Sequence, residues 1–224
     1  MTEPDSKAGR APTGKPYYIG PIYPVLFAAG AAALDKASRW LRLAAFGLIL
    51  CFAIPTVPFG LPILPPAAMA KYAAKIGSKA ATRTNRGESL PLPQDFADMI
   101  GWEDQVAAVA QVFKTLPPEK QSQATIVASN DGEAGALDFF GPRFGLPERI
   151  LFPGSRTLWA PTGKPPEVAV GIGISREDAE RYFRTVRLVT WFDNPWMVSE
   201  ERHRAIIVAE TPQPDLLTSW SKSK

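Results

Sequence analysis

The string Asn130-Asp-Gly-Glu-Ala-Gly135 packs an amide, two carboxylates and two glycines into six positions of this 224-residue chain. It follows the short apolar run ATIVAS (124–129), which reads as a buried strand, and opens a stretch of helical composition from Gly132 through Phe140. Open α/β sheets collect anions and polar ligands at such strand-to-helix turns, because backbone N–H groups and the helix dipole converge there. Asn130, Asp131 and Glu133 are therefore candidate ligand-binding residues, for a hydroxyl-rich molecule or a phosphate. Against a phosphate stand the two carboxylates, the absence of a lysine, and a spacing that fits neither a Walker loop nor a dinucleotide fingerprint.

The other groups with chemical potential are sparse. Gly171-Ile-Gly173 lacks the third glycine of a dinucleotide turn and reads as close strand packing. His203, the only histidine, stands between Arg202 and Arg204 in a turn before the last strand and reads as a surface residue. Cys51, the only cysteine, lies in an apolar stretch, which rules out an intramolecular disulfide or a thiolate metal cluster. A Ser/His/Asp arrangement cannot be argued from these residues, so no catalytic residue, metal or cofactor is assigned. Trp159, Trp191 and Trp196 offer faces for sugar stacking, although roles in the core or as loop anchors are the ordinary use of such residues.

The elements that position the turn form a small α/β sandwich. Phe96, Met99, Ile100, Val106, Val109, Val112 and Phe113 approximate a helical stripe over 98–116, stopped by Pro117-Pro118. The strand at 124–129 and its helix are followed by a second such unit: EVAVGIGI (167–174), then Ser175 as cap of a helix reaching Val186. Strands at 187–192 and 204–210 complete the sheet, joined by a loop at 193–196. Alternation of this kind gives an α/β fold for the soluble domain, 94–212, followed by a polar tail at 213–224.

Before that domain the chain is apolar. Residues 17–34 and 43–66 carry no charge, and at about 1.5 Å per helical residue they bracket the roughly 20 residues a bilayer core requires. Between them sits a charged turn, 35–42, with Trp40 suited to the water interface. The expectation is a transmembrane hairpin at 16–66, its second helix regular from Leu41 to Ile54 and broken by the prolines that follow. Residues 1–15 have the composition of a disordered tail and lack the apolar core of a signal peptide, leaving insertion to the hairpin. Lys71, Lys75 and Lys79 recur every four residues beside Met69, Tyr72, Ala73 and Ile76, the pattern of an interfacial amphipathic helix or of a plain solvated one. That helix and a linker occupy 67–93. The net charge of +3 is concentrated here rather than on the soluble domain, which points to a membrane lipid surface and away from nucleic acid.

The string Lys15-Pro-Tyr-Tyr-Ile-Gly-Pro-Ile-Tyr-Pro-Val-Leu-Phe-Ala-Ala-Gly30 resembles a late segment of bacterial GT-C glycosyltransferases of family 39, the dolichyl-phosphate-mannose protein mannosyltransferase-like group. The resemblance continues through Leu64-Pro-Pro66, Leu92-Pro-Gln-Asp-Phe-Ala-Asp-Met-Ile-Gly-Trp-Glu103, Gly132-Glu-Ala-Gly-Ala-Leu-Asp-Phe-Phe-Gly-Pro-Arg-Phe-Gly-Leu-Pro147 and the terminal strands. It implies a multi-pass protein of the bacterial inner membrane that moves a sugar from a polyprenyl-phosphate donor, with its soluble domain on the extracytoplasmic face. The catalytic carboxylate of that family lies in a first loop with no counterpart here, so the resemblance covers the carboxyl-terminal part, as a fragment or a separate subunit. It makes a polyprenyl-phosphate-linked sugar and partner membrane helices or a transferase subunit the expected partners. Lys15, Tyr17, Tyr18 and Tyr23 then put a cation and phenol donors at one interface, suited to a lipid-linked phosphate, with an aromatic anchor belt as the equal alternative. A membrane-anchored accessory module that presents its α/β domain to a glycan or a partner transferase is the second functional reading. Charge counting alone favours the opposite orientation, since 71–86 is more basic than the turn at 35–42.

Overall fold

The computed structural model describes residues 20–76, 82, 89–155, 158–160, 164–216 and 218. The expectations for the tail at 1–15 and for Lys15, Tyr17, Tyr18 and Lys79 lie outside these residues. The chain divides into two compact units, parted between Val57 and Pro58.

The first unit holds α1 (Tyr23–Asp35) and most of α2 (Arg39–Gly60). Pro24 sits in the first turn of α1, where its missing N–H costs nothing. At 13 residues α1 extends about 20 Å, short of a hydrocarbon core of about 30 Å. Tyr23 is exposed and stacks on Phe27, one turn on, with ring centroids 6.1 Å apart. Ser38 opens α2, its hydroxyl accepting from the Leu41 N–H at 3.4 Å. At 22 residues α2 is the one helix among the described residues long and apolar enough to cross a membrane. It does not stop at Ile54 as the prolines imply, but runs through Pro55 and Pro58. Each proline removes a single N–H, and the Thr56 hydroxyl donates to the Phe52 and Ala53 carbonyls at 2.9 and 3.0 Å on the same turn.

The second unit begins with the last residues of α2 and α3 (Pro66–Ile76), then α4 (Gln94–Ala97) and α5 (Trp102–Lys114). Met69 and Ala73 of α3 are buried against Leu92, Phe96, Ala97 and Val198, while Lys71 and Lys75 are exposed. The apolar face of α3 is thus covered by protein. The helix expected over 98–116 begins only at Trp102, after a turn that ends at Gly101, whose φ of 86° only glycine adopts freely. Met197 packs onto that glycine so closely that a Cβ there would stand 2.4 Å from its sulfur.

Next come α6 (Pro118–Gln121), β1 (Ala124–Val127), α7 (Asp131–Phe144), β2 (Ile150–Leu151), β3 (Val168–Ile172), α8 (Arg176–Tyr182), β4 (Phe183–Asp193), α9 (Ser199–Arg202) and β5 (His203–Pro212). The sheet is mixed, in the order β2-β1-β3-β5-β4, with β1 parallel to β2 and β3, and β5 antiparallel to β3 and β4. Helices α5 and α7 cover one face, burying Val106, Val109, Ala134 and Leu137 over Ile126, Val170, Ile206 and Val208. Wholly burying one such side chain contributes about 2 kcal/mol. The opposite face carries Ala169, Ala209 and Leu151 beneath Phe183 and Leu216.

Two further boundaries differ from expectation. The helix expected to reach Val186 ends at Tyr182, because buried Phe183 already pairs with Pro212 and begins an 11-residue strand. The helix expected to end at Phe140 continues to Phe144 through Pro142 and closes at Gly145, φ 76°, where the Leu146 N–H reaches back to the Gly141 carbonyl at 3.1 Å.

Candidate functional site

Strands β1 and β3 lie side by side and parallel, with the pairs Ile126–Val170 and Val127–Gly171 in register. From β1 the chain crosses through α7 to β2 on one side, whereas β3 lies on the other, so the carboxyl ends of β1 and β3 flank a topological switch point. Asn130 caps α7 at this point. Its Oδ1 accepts from the Glu133 N–H at 2.9 Å, and its Nδ2 donates to Glu201 Oε1 at 2.8 Å.

Glu133 is turned inward and has no solvent exposure. Its Oε2 accepts from the Ser129 N–H and hydroxyl at 2.7 and 2.8 Å, and its Oε1 lies 3.0 Å from Arg204 Nε. Arg204 donates through Nε and Nη2 to the two oxygens of Glu201 at 3.1 and 2.8 Å, so Glu133 Oε1 has the ion pair but no hydrogen bond. One guanidinium therefore serves two buried carboxylates. Burial pushes the Glu133 carboxyl up to about 7, against the opposing pull of the Ser129 donors and Arg204, while the charge of Glu201 adds to the rise. For Arg204 burial works against the cation, but the bond to Glu201 and the charges of Glu133 and Glu201 outweigh it and hold the guanidinium above its ordinary value. Asp98 is raised as well, by burial first and then by Asp95, Glu200 and Glu201.

The three sequence candidates thus take different positions. Asn130 and Glu133 are brought together, but their polar atoms meet protein partners; Asp131 is exposed. Ser129, Gly173, Glu201 and Arg204 complete the network. The sequence signal for them was faint: the Arg202-His-Arg204 string and a glycine pair. Gly173 is required by the network, since at φ 68° a Cβ would stand 2.4 Å from Ser129 Oγ and 2.5 Å from Glu133 Oε1.

Next to the network, on the sheet face away from α5 and α7, a cleft of about 620 Å³ opens between the sheet and α8. Val127, Ala169, Gly171, Ile207 and Ala209 form its floor, and Ser129 and Gly173 belong to both cleft and network. No family model, curated protein or solved structure matches this chain. The reading of the site therefore stands on its geometry.

Among the described residues no group of three or more His, Cys, Asp or Glu side chains could hold a metal ion. His203 is exposed at the start of β5, stacked on Trp191 at 4.4 Å with rings 8° from parallel, its Nδ1 3.4 Å from Asp193 Oδ1. The tryptophans considered as a sugar platform occupy separate settings. Trp191 covers His203, Trp196 packs beside α3 and α4, and Trp159 lies over Gly135 of α7. On the outer side of α7, Trp102 leans over Gly132 beside a shallow hollow of about 580 Å³ that also takes in exposed Phe139.

Proposed function

We propose that this chain is a membrane-anchored carboxyl-terminal part, or a separate subunit, of a sugar transferase that uses a polyprenyl-phosphate donor. In this reading sugar transfer itself resides on an acidic loop outside the chain. The observation that carries the anchor is α2: a 22-residue helix, uncharged from Leu43 to its end, in which only Pro58 is buried. An exposed apolar surface of that length is unfavourable in water and favourable in lipid. The strings quoted above support the transferase assignment, and in this reading α1, joined to α2 by the charged turn and preceded by the uncharged residues 17–22, belongs to the second arm of a hairpin in a multi-pass inner-membrane protein. Lys15, Tyr17, Tyr18 and Tyr23 are the residues that this reading assigns to a lipid-linked phosphate. The soluble domain is assigned to the extracytoplasmic side.

The test is alkaline carbonate extraction of membranes from cells expressing the full chain. Retention in the pellet is expected, and release into the supernatant overturns the anchor. Purified chain is expected to transfer no sugar from a polyprenyl-phosphate donor, and turnover by it would overturn the division of labour.

The cleft between the sheet and α8 favours a second reading, an accessory module whose α/β domain binds a glycan or a partner transferase. Co-purification separates the two. A multi-span partner carrying an acidic first loop supports the subunit reading, and sugar binding by the chain without such a partner supports the accessory module.

A further inference from the structure

The cleft between the sheet and α8 has a composition that selects a ligand. Beside Val127 and Ile207 its floor carries three small residues: Gly171 has no side chain, and Ala169 and Ala209 contribute a methyl each. A Cβ on Gly171 would meet Ile174 and Ile207 at 3.1 Å, so the opening depends on that glycine. Phe152, Tyr182, Phe183 and Leu216 make apolar walls, and about 620 Å³ is within the range of small-molecule sites.

Among the described residues one cation lines this apolar space. Arg181, in the last turn of α8, is exposed at the rim and has no ion pair or hydrogen bond among the described residues. The other charged group there, Asp178, is engaged through Oδ2 with the Ser175 hydroxyl at 2.7 Å, one turn earlier. Ser129 adds a hydroxyl at the end nearest the Glu133 network, already given to that carboxylate. An apolar cavity with one unpaired guanidinium at its edge is complementary to an amphiphile: hydrocarbon against the sheet, an anionic head on the arginine.

We propose that the cleft over Gly171, with Arg181 at its rim, binds a hydrocarbon-tailed anion such as an alkyl phosphate. The site is independent of the anchor and of the transferase assignment, because it is built wholly within the α/β unit. Membrane phospholipid and a soluble amphiphile share this chemistry.

The experiment uses the full chain in phosphatidylcholine nanodiscs with dodecyl phosphate bearing a diazirine at the end of its tail, followed by irradiation and peptide mapping. Adducts are expected on the segments holding Phe152, Tyr182 and Leu216, besides those on α2 from the surrounding lipid. Arg181→Gln, an exposed change that leaves the walls intact, is expected to lower cleft labelling about tenfold at limiting probe, the loss of one charge-assisted contact. Ile174→Trp, at the half-buried rim, is expected to block it while thermal unfolding remains cooperative. Dodecanol carrying the same diazirine is expected to label the cleft about tenfold less than the phosphate. Loss of labelling when phosphatidylglycerol enters the nanodisc supports a membrane lipid as the source, and persistence supports a soluble amphiphile. Absence of cleft adducts, equal labelling by dodecanol, or protection by inorganic phosphate alone overturns the proposal. So does labelling that appears only after removal of residues 219–224, which would make the chain's own end the occupant.

Discussion

Gly173 and Glu133 approach so closely that a Cβ on the glycine would stand 2.5 Å from the carboxylate Oε1. The glycine backbone, at φ 68°, ends β3 and forms one wall of the pocket in which a fully buried carboxylate is held. Gly173→Ala therefore incurs both left-handed strain and a clash with atoms fixed by Ser129 and Arg204, about 3 kcal/mol together. Gly145→Ala has a similar φ, 76°, with nothing within 4 Å, and is expected to cost about 1 kcal/mol. Urea unfolding of the two variants measures the difference; equal losses would mean that strain alone is responsible.

The raised carboxyl of Glu133 gives the fold a pH dependence of defined sign. Below its ordinary value of 4.5 the group is protonated in both folded and unfolded chains. As pH rises toward about 7 the unfolded chain ionises freely and the folded one does not, so stability falls over that window and levels off above it. The loss amounts to about 3 kcal/mol at most. Ser129, Glu201 and Arg204 face the group directly, and Asp98, raised by burial and by Glu200 and Glu201 among others, adds a loss of the same sign. Glu133→Gln is expected to flatten the dependence of unfolding free energy between pH 5 and 8, by about 2 kcal/mol or more. An unchanged slope would show that Glu133 stays ionised when folded.

How far the sequence discloses this site can be argued from Asn130 and Arg204. Asn130 is legible because capping is local: a short polar side chain between an apolar strand and a helix has an N–H three residues ahead to accept from. Its second bond, to Glu201, spans 71 positions and leaves no trace in spacing. Arg204 is illegible for the same reason, since only the antiparallel pairing of β3 with β5 brings it beside Glu133. Among the elements, β1 and β3 are legible as unbroken apolar runs, as buried parallel strands are. The two-residue β2 is too short for any period, and the helix-to-strand change at Phe183 depends on a partner strand 29 residues away. The cleft is the least legible feature, because it is defined by what Gly171, Ala169 and Ala209 leave empty.

Asn130 links the two halves of the network. Asn130→Ala removes the α7 cap and the amide donor to Glu201, and is expected to cost about 2 kcal/mol by thermal unfolding. Asn130→Ser restores an acceptor for the Glu133 N–H without reaching Glu201, so it should recover about half of that. Asn130→Asp keeps the cap but sets a carboxylate beside Glu201, and is expected to be less stable than Asn130→Ser at pH 8. A serine variant no better than alanine would move the importance of Asn130 from the cap to its contact with Glu201.

The two faces of α3 separate packing from membrane contact. Met69 is fully buried and packs in a cluster with Phe96 and Leu92, so Met69→Ala is expected to cost about 3 kcal/mol. Lys71 and Lys75 are exposed, and reversing both to glutamate should alter stability by no more than about 0.5 kcal/mol. Near an anionic bilayer each lysine is worth about 1 kcal/mol. A spin label on Ala74→Cys, in a Cys51→Ser background, reports whether that attraction operates. If α3 lies at the interface, the label gains exposure to lipid-soluble oxygen over aqueous nickel complexes when phosphatidylglycerol enters the nanodisc, and Lys71→Glu with Lys75→Glu abolishes the gain. Accessibility that is indifferent to both lipid charge and lysine reversal would make α3 a solvated helix, held by Met69 and Ala73 alone.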